Sequence, residues 1–191
     1  MERALAAAGT RADAGPDGGV TRIVSGRWRG RQLVVPPDRT VRPTAERVRE
    51  AWLNILGPEL AGANLLDLFA GSGALGLEAL SRGARRATFV DLHPDSLASL
   101  RTNIAALGAG PEAEVHRADV MKFVAGLGSG AYDLAVADPP FATDLAEQLA
   151  AAWHRVPFVG VLAVEHARTI RLSGGTTRRW GDIAVTFYRA S

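Results

Sequence analysis

The stretch from residue 65 to residue 76 constrains the fold more than any other part of the chain. It reads as an apolar strand that passes through a tight glycine turn directly into a helix. Gly71, Gly73 and Gly76 form the pattern GxGxxG, and Asp91 follows Gly71 by twenty positions. This arrangement is typical of the first strand, turn and helix of an open, mostly parallel α/β sheet that binds a cofactor containing a nucleoside.

Asp67 discriminates between two kinds of cofactor. It lies at the end of the first strand, four residues before Gly71. A carboxylate there repels the pyrophosphate of a dinucleotide, which binds to backbone N–H groups and a helix N-terminus. The same carboxylate attracts the sulfonium and ammonium groups of S-adenosylmethionine. Asp91 ends the second strand, where its carboxylate can bind the ribose hydroxyls of either cofactor. Asp91 therefore does not distinguish the two, and a nicotinamide enzyme stays an alternative at this point.

A third strand-end acid, Asp119, follows a short predicted strand and precedes the apolar residues Val120 and Met121. Its carboxylate is suited to accept a hydrogen bond from the adenine amino group while the apolar side chains cover the ring. The alternative role of Asp119 is the N-cap of the next helix. Ligands of open α/β sheets bind outside these strand ends, so the acids predict one cofactor site.

Residues 138–141 read Asp-Pro-Pro-Phe and follow an apolar run, residues 132–137. An exocyclic amine on a purine is a weak nucleophile, and a site that methylates it needs hydrogen-bond acceptors and a flat apolar surface. Asp138 and the carbonyl of Pro139 supply acceptors, the two prolines stiffen the turn, and Phe141 can stack on an extruded base. The alternative is a solvated aspartate in a Pro-Pro turn.

Strands and helices alternate along the chain. Apolar and alternating runs predict strands at residues 65–69, 87–91, 113–117, 132–137, 159–165, 169–172 and 183–188. Helices are predicted at residues 44–56, 73–82, 94–107, 119–127 and 143–154. This pattern predicts an α/β fold, a Rossmann-like class I methyltransferase domain with a seven-stranded, mostly parallel sheet.

Composition excludes several kinds of chemistry. The chain has no cysteine, which rules out disulfides, thiolate metal sites and the cysteine-dependent route to pyrimidine C5 methylation. The four histidines have no metal-ligand spacing, so no metal is expected. No apolar run approaches the length of a membrane span. We therefore expect a cytoplasmic protein without a membrane partner.

Positive charge is concentrated near the N-terminus. Residues 1–20 are rich in Ala and Gly and predict a flexible extension, residues 21–41 a basic β-hairpin, and residues 42–191 the methyltransferase domain. Between Arg22 and Arg49 eight arginines face two acids, a net charge of +6, whereas the remaining residues sum to −4. With Trp28 available for stacking, the hairpin is a candidate for binding RNA, and a solvated hairpin is the alternative.

The basic segment at residues 25–31 (Ser-Gly-Arg-Trp-Arg-Gly-Arg), the Arg-Pro-Thr at residues 42–44, the glycine turn and the Asp-Pro-Pro-Phe turn together resemble a known family. These segments are similar to the bacterial 16S rRNA guanine-N2 methyltransferases of the small ribosomal subunit, often called the RsmD family. The resemblance implies methyl transfer from S-adenosylmethionine to the N2 amine of a guanine in 16S rRNA, on an assembling small subunit, by a monomer.

The resemblance also implies roles for individual residues. Catalytic contacts to the target base are implied for Asp138, Pro139 and Phe141. Cofactor contacts are implied for Thr44, Asp67, Phe69, Gly71, Ser72, Gly73, Asp91, Leu92, Asp119, Val120 and Asp138. RNA contacts are implied for Arg22, Arg27, Trp28, Arg29, Arg31, Arg39 and Arg42.

Other functions are compatible with parts of the same pattern. An adenine-N6 or other amino methyltransferase acting on another RNA or on DNA shares the Asp138 turn, although specific DNA recognition usually takes a larger extra domain. A non-catalytic RNA-binding assembly factor would retain the cofactor pocket without turnover.

Overall fold

The computed structural model describes residues 21–36 and 43–190, and of residues 43–45 it describes the backbone alone. Its strands are β1 (Thr21–Arg22), β2 (Gln32–Leu33), β3 (Asn64–Leu68), β4 (Arg86–Asp91), β5 (Ala113–Arg117), β6 (Tyr132–Ala137), β7 (Val159–Ala167), β8 (Thr176–Trp180) and β9 (Ile183–Arg189). Its helices are α1 (Pro43–Ile55), α2 (Gly57–Leu60), α3 (Ala74–Ser81), α4 (Pro94–Leu107), α5 (Val120–Ala125) and α6 (Leu145–Arg155), with a 3₁₀ turn at Gly110–Glu112.

Seven strands form one sheet in the order β5-β4-β3-β6-β7-β9-β8. Strands β3 to β7 are parallel, and β9 is antiparallel to both β7 and β8. The predicted seven-stranded, mostly parallel sheet is confirmed. The chain runs outward from β3 through β4 to β5 and then returns to β6 on the other side of β3. The crevice at the ends of β3 and β6 is therefore the switch point at which such sheets bind ligands.

Helices cover both faces of the sheet. One apolar cluster joins α1, α3 and α4 to the sheet and includes the fully buried Trp52 and Phe89. The other joins α5 and α6 to the opposite face, where the indole N–H of Trp153 donates to the carbonyl of Val159 at 3.0 Å. The near-continuous apolar sequences of β3 and β6 follow from this burial on both faces.

The predicted strand at residues 169–172 is wrong. After β7 the backbone N–H of Ile170 donates to the carbonyl of Ala167, which turns the chain out of the sheet. Leu172 is buried against the α5 and α6 side, so its apolar character reflects a loop packed on the core. The outer strand is instead β8, whose polar residues carry little hydrophobic signal and which is defined by its pairing with β9.

The N-terminal hairpin packs against α3 and α4. The buried carboxylate of Glu78 accepts from the backbone N–H groups of Val24 and Ser25, at 2.6 and 2.8 Å. The backbone N–H of Arg27 donates to the carbonyl of Ser81 at 2.9 Å. β1 and β2 pair as an antiparallel hairpin with strands of two residues each, and these contacts join it to the rest of the domain.

We predict that Gly26→Ala destabilises the protein far more than Gly30→Ala. Both glycines have φ of 82°, so alanine carries the same backbone strain of roughly 1 kcal/mol at either position. A methyl group at Gly26 would overlap the carbonyl of Ser81, whereas one at Gly30 meets no atom within 4 Å. Urea unfolding should show an additional loss of about 2 kcal/mol for Gly26→Ala. Equal losses would mean that the hairpin is not held against α3 in solution.

Candidate functional site at the strand ends

Carboxylates gather where the parallel strands end. Val90, Leu68, Ala137 and Val164 are registered neighbours on β4, β3, β6 and β7. The positions that follow them, Asp91, Phe69, Asp138 and Glu165, therefore form a row across the sheet, on the face covered by α1, α3 and α4. Asp67 lies on the same face, two residues earlier in β3. We call Asp67, Asp91, Asp138 and Glu165 the acid cluster.

Two members of the acid cluster hold the glycine turn. One carboxylate oxygen of Asp67 accepts from the backbone N–H of Gly76 at 2.9 Å, and one of Asp91 accepts from that of Gly71 at 2.8 Å. The other oxygen of Asp91 accepts from the backbone N–H of His93 at 2.8 Å. Both carboxylates are almost fully buried. Asp91 thus has a shaping role that its sequence position did not predict, in addition to its predicted contact with a ribose.

The turn itself is conformationally strained. Phe69, directly after β3, has a φ of 60°, and it is the one non-glycine residue with positive φ in the described part of the chain. Such a conformation costs about 1–3 kcal/mol and occurs preferentially at functional sites. Gly73 also has positive φ, and a Cβ there would collide with the side chain of Leu100. The backbone is therefore shaped around the crevice between β3 and the N-terminus of α3.

Electrostatics make the acid cluster receptive to a cation. Burial raises the pKa of Asp67 well above its ordinary value, and the charges of Asp138 and Asp91 raise it further, against the opposing hydrogen bond from Gly76. A cationic group beside Asp67 relieves this repulsion and favours the ionised carboxylate. The sulfonium and ammonium groups of S-adenosylmethionine fit this donor set, whereas the phosphates of a dinucleotide do not.

The predicted acceptor turn lies next to this cluster. The backbone N–H of Asp138 donates to the carbonyl of Leu68 at 3.4 Å, which keeps the turn aligned with β3. Pro139 is buried, and the hydroxyl of Thr143 donates to the carbonyl of Pro140 at 2.6 Å. The Phe141 side chain is 44% exposed and is available to a flat ring from outside.

Glu165 is a member of the cluster that the sequence reasoning did not single out. It follows Val164 in β7, and register places it beside Asp138. Burial raises the pKa of Glu165 to about 9, with a further contribution from the charge of Asp138. The available signal was that Glu165 ends its predicted strand, as Asp67 and Asp91 end theirs.

The remaining predicted cofactor residues are more dispersed. Asp119 is exposed and caps α5 by accepting from the backbone N–H of Lys122 at 2.9 Å, which matches the N-cap alternative and leaves its role toward adenine a prediction. Val120 is buried in the core, whereas Leu92 is exposed. The carbonyl of Ser72 accepts from the Asn103 side chain at 2.9 Å, and the side chain of Thr44 lies outside the described part.

The predicted RNA residues of the hairpin lie away from the acid cluster. Helix α3 runs from the edge of the sheet at which the parallel strands end to the opposite edge. There the backbone N–H of Arg85, which follows α3, donates to the carbonyl of Ala63, which precedes β3. The hairpin tip contacts this far end of α3, about 12 Å of helix from the glycine turn. The predicted RNA residues therefore lie in different places. The hairpin tip contains Arg27, Trp28, Arg29 and Arg31, whereas Arg22 lies near Glu46 of α1. Arg39 and Arg42 fall outside the described residues.

Several arginines of the basic segment already have partners. Arg27 forms an ion pair with Glu112 and stacks over Trp28, 3.9 Å from the ring centroid. Arg31 donates to the carbonyl of Ala106 at 2.8 Å. Arg49 is buried, and burial lowers its pKa. The net charge of the segment thus overstates the number of cations available to a phosphate backbone.

Among residues 21–36 and 43–190, no group of three or more His, Cys, Asp or Glu side chains is arranged to hold a metal ion. No helix in the same ranges is long and apolar enough to cross a membrane.

Comparison with known proteins supports the family resemblance. The profile of the family described as conserved hypothetical protein 95 matches residues 21–172. Ribosomal RNA small subunit methyltransferase D of Escherichia coli K12 is 45% identical over 130 residues, which are 68% of this chain and 65% of that protein. The protein of the same name from Haemophilus influenzae is 41% identical over 132 residues, 68% of each chain. The match to the Escherichia coli relative thus spans slightly less than two thirds of its length.

Solved structures share the architecture. The structure of yhhF from Escherichia coli is 36% identical, superimposes with a TM-score of 0.77, and is covered over 98% of its length by 90% of this chain. A Thermus thermophilus 16S rRNA N2 G1207 methyltransferase, solved with AdoMet and guanosine, has a TM-score of 0.68 at 23% identity, over 91% of this chain and 50% of that one. The fold is that of the class I methyltransferases.

We predict that Glu165→Gln makes stability less dependent on pH. Between pH 4.5, the ordinary pKa of glutamate, and about pH 9, Glu165 keeps its proton in the folded wild type but has lost it in the unfolded chain. The stability of the wild type therefore falls as pH rises through this window. The glutamine variant should match the wild type near pH 5 and have the higher Tm near pH 8.5, measured by circular dichroism. Glu50→Gln, at an exposed position on α1, is the matched control for replacing a glutamate by glutamine. Parallel curves for wild type and Glu165→Gln would contradict the assignment.

Proposed function

The chain belongs to the RsmD family, described as conserved hypothetical protein 95, and on that premise we propose that it is an S-adenosylmethionine-dependent rRNA methyltransferase. The proposed reaction transfers a methyl group to the exocyclic N2 amine of a guanine in 16S rRNA of the assembling small ribosomal subunit. We propose that the protein acts as a monomer in the cytoplasm, where that assembly takes place.

The observation that carries the proposal is the acid cluster around the glycine turn. Asp67 is 1% exposed and has two carboxylates near it, so a cationic ligand is strongly favoured over an anionic one. This agrees with S-adenosylmethionine as the methyl donor, which supplies a methyl group on a positively charged sulfur. In the proposed arrangement Asp67, Gly71 and Gly73 line the methionine portion, Asp91 faces the ribose and Asp119 the adenine.

The acceptor side consists of Asp138, Pro139 and Phe141. Phe141 stacks on the extruded base, while Asp138 and the carbonyl of Pro139 accept hydrogen bonds from the amine. These acceptors orient the nitrogen for in-line attack as its lone pair leaves the ring conjugation. A nitrogen–carbon bond forms, the sulfur–carbon bond breaks, and the sulfonium becomes a neutral thioether. The amine then releases one proton, for which the Asp138 carboxylate is the nearest proposed acceptor.

Positioning supplies most of the proposed rate acceleration, because no covalent intermediate is required. The strained Phe69 backbone and the Asp91 hydrogen bonds to Gly71 and His93 preorganise the turn before any ligand binds. The proposal that both substrates enter the same crevice is supported by the register, which places Asp138 beside Phe69 and Glu165 in one row.

We predict that Asp138→Ala lowers kcat by roughly 100-fold or more, because it removes the side-chain acceptor for the amine. Cofactor affinity, measured by isothermal titration calorimetry, should stay within about threefold of the wild type. Asp144→Ala provides a matched control at an exposed acid of the same loop, with no side-chain capping bond, and should keep full activity. If Asp138→Ala mainly weakens cofactor binding, Asp138 contacts the cofactor and is not the acceptor for the amine.

The reaction itself is tested with labelled S-adenosylmethionine and three substrates: undermethylated small subunits, naked 16S rRNA and duplex DNA. Mass analysis of the product nucleoside should identify N2-methylguanosine in the small subunit. Methylation of adenine, or of DNA alone, would retain the Asp138 turn as an amine-methylating site and reject the ribosomal substrate. Absence of transfer to all three, with intact cofactor binding, would favour the non-catalytic assembly factor.

A further inference from the structure

We propose that Arg168, Arg178 and Arg179, at the β8 edge of the sheet, bind the phosphate backbone of the RNA next to the target nucleotide. We call these three residues the arginine flank. The inference rests on the proposed function, because it concerns how that RNA is held. It places the phosphate contacts near the site on the C-terminal side of the domain, away from the tip of the N-terminal hairpin.

The charge distribution along the chain supports a second basic region. Residues 168–191 contain five arginines and one aspartate, a net charge of +4. Residues 50–165, between this region and the basic N-terminal segment, contain seven basic and fourteen acidic residues, a net charge of −7. Positive charge is therefore found at both ends of the domain sequence, and the acid cluster belongs to the negative part.

Strand register brings Arg178 to the same face and level as the acid cluster, with Arg179 next to it on the opposite face and Arg168 at the adjacent turn between β8 and β9. Arg178 is paired with Val185, and Val185 is paired with Glu165, which lies beside Asp138. Arg178 and Asp138 are thus three strand spacings apart, about 14 Å at roughly 4.8 Å per spacing. A nucleotide whose base reaches the Asp138 turn would have neighbouring phosphates within this range.

The flank is also accessible. All three arginines are exposed, and none forms an ion pair with an acid in the described part of the chain. Arg168 follows β7, where its backbone N–H donates to the carbonyl of Asp182 and its guanidinium to that of Gly181. These bonds fix it at the turn between β8 and β9, on the strand-end edge.

Electrostatics explain why an RNA substrate needs cations beside the site. Phosphates that approach the target site pass the negative part of the domain, residues 50–165, whose net charge of −7 repels them. Cations along the margin offset this repulsion and guide the backbone past the carboxylates while the base enters. The arginines of the hairpin tip cannot fill this place, since the tip contacts the far end of α3 at the opposite edge of the sheet.

The test is the salt dependence of binding to unmodified 16S rRNA transcript. Replacing the three arginines together by glutamine should reduce the slope of log affinity against log salt by about 2, at roughly 0.7 per lost phosphate contact. Affinity near 0.15 M salt should fall at least about fivefold, while cofactor affinity stays unchanged. The triple lysine variant keeps the three charges and should retain most of the wild-type slope.

A matched control removes the same charge elsewhere. Arg86, Arg101 and Arg155, replaced together by glutamine, lie on the start of β4, on α4 and at the end of α6. This control should change the slope by less than half as much. Equal effects of the two glutamine triples, or no effect of the flank triple, would overturn the proposal. Methyl transfer by the wild type is scored separately, so failure of the enzymatic proposal is distinguished from failure of the flank.

Discussion

The burial of four carboxyl groups side by side, near the ends of four parallel strands, is the constraint around which this domain is arranged. Parallel pairing aligns the strand ends, so each acid that terminates a strand is brought close to the next. Backbone N–H groups of Gly71 and Gly76 stabilise two of these carboxylates, and the pKa values of Asp67 and Glu165 rise in response to burial and neighbouring charge. Under the proposed function, the stability lost by burying these groups is exchanged for a preorganised site for the methyl donor.

Local sequence information was sufficient for the centre of the domain. The apolar run into the glycine turn predicted β3 and the start of α3, because the residues that form this unit are contiguous. Asp67, Asp91 and Asp138 were identifiable for the same reason, since each lies at or near the end of its own strand. The five predicted helices agree with the structure to within about two residues at each end, whereas the four-residue α2 was not predicted.

What the sequence left undetermined depends on contacts between distant residues. Glu165 gains its significance from Asp138 on the neighbouring strand, a relation that only the register reveals. Strand β8 exists because β9 pairs with it, whereas residues 169–172 are apolar because Leu172 packs on the core. The sequence indicated that Arg27 is a free cation, whereas in the folded chain it forms an ion pair with Glu112.

The exposed position of β8 has a consequence for solubility. In the described part of the chain β8 pairs with β9 on one side alone, so its other side presents unpaired backbone groups to solvent. Such an edge invites edge-to-edge pairing with another copy. Arg178 and Arg179 are consecutive and therefore project to opposite faces, so an approaching copy of the same strand would bring like charges together on both. The outermost strand thus resists self-association through the same guanidinium groups that flank the site.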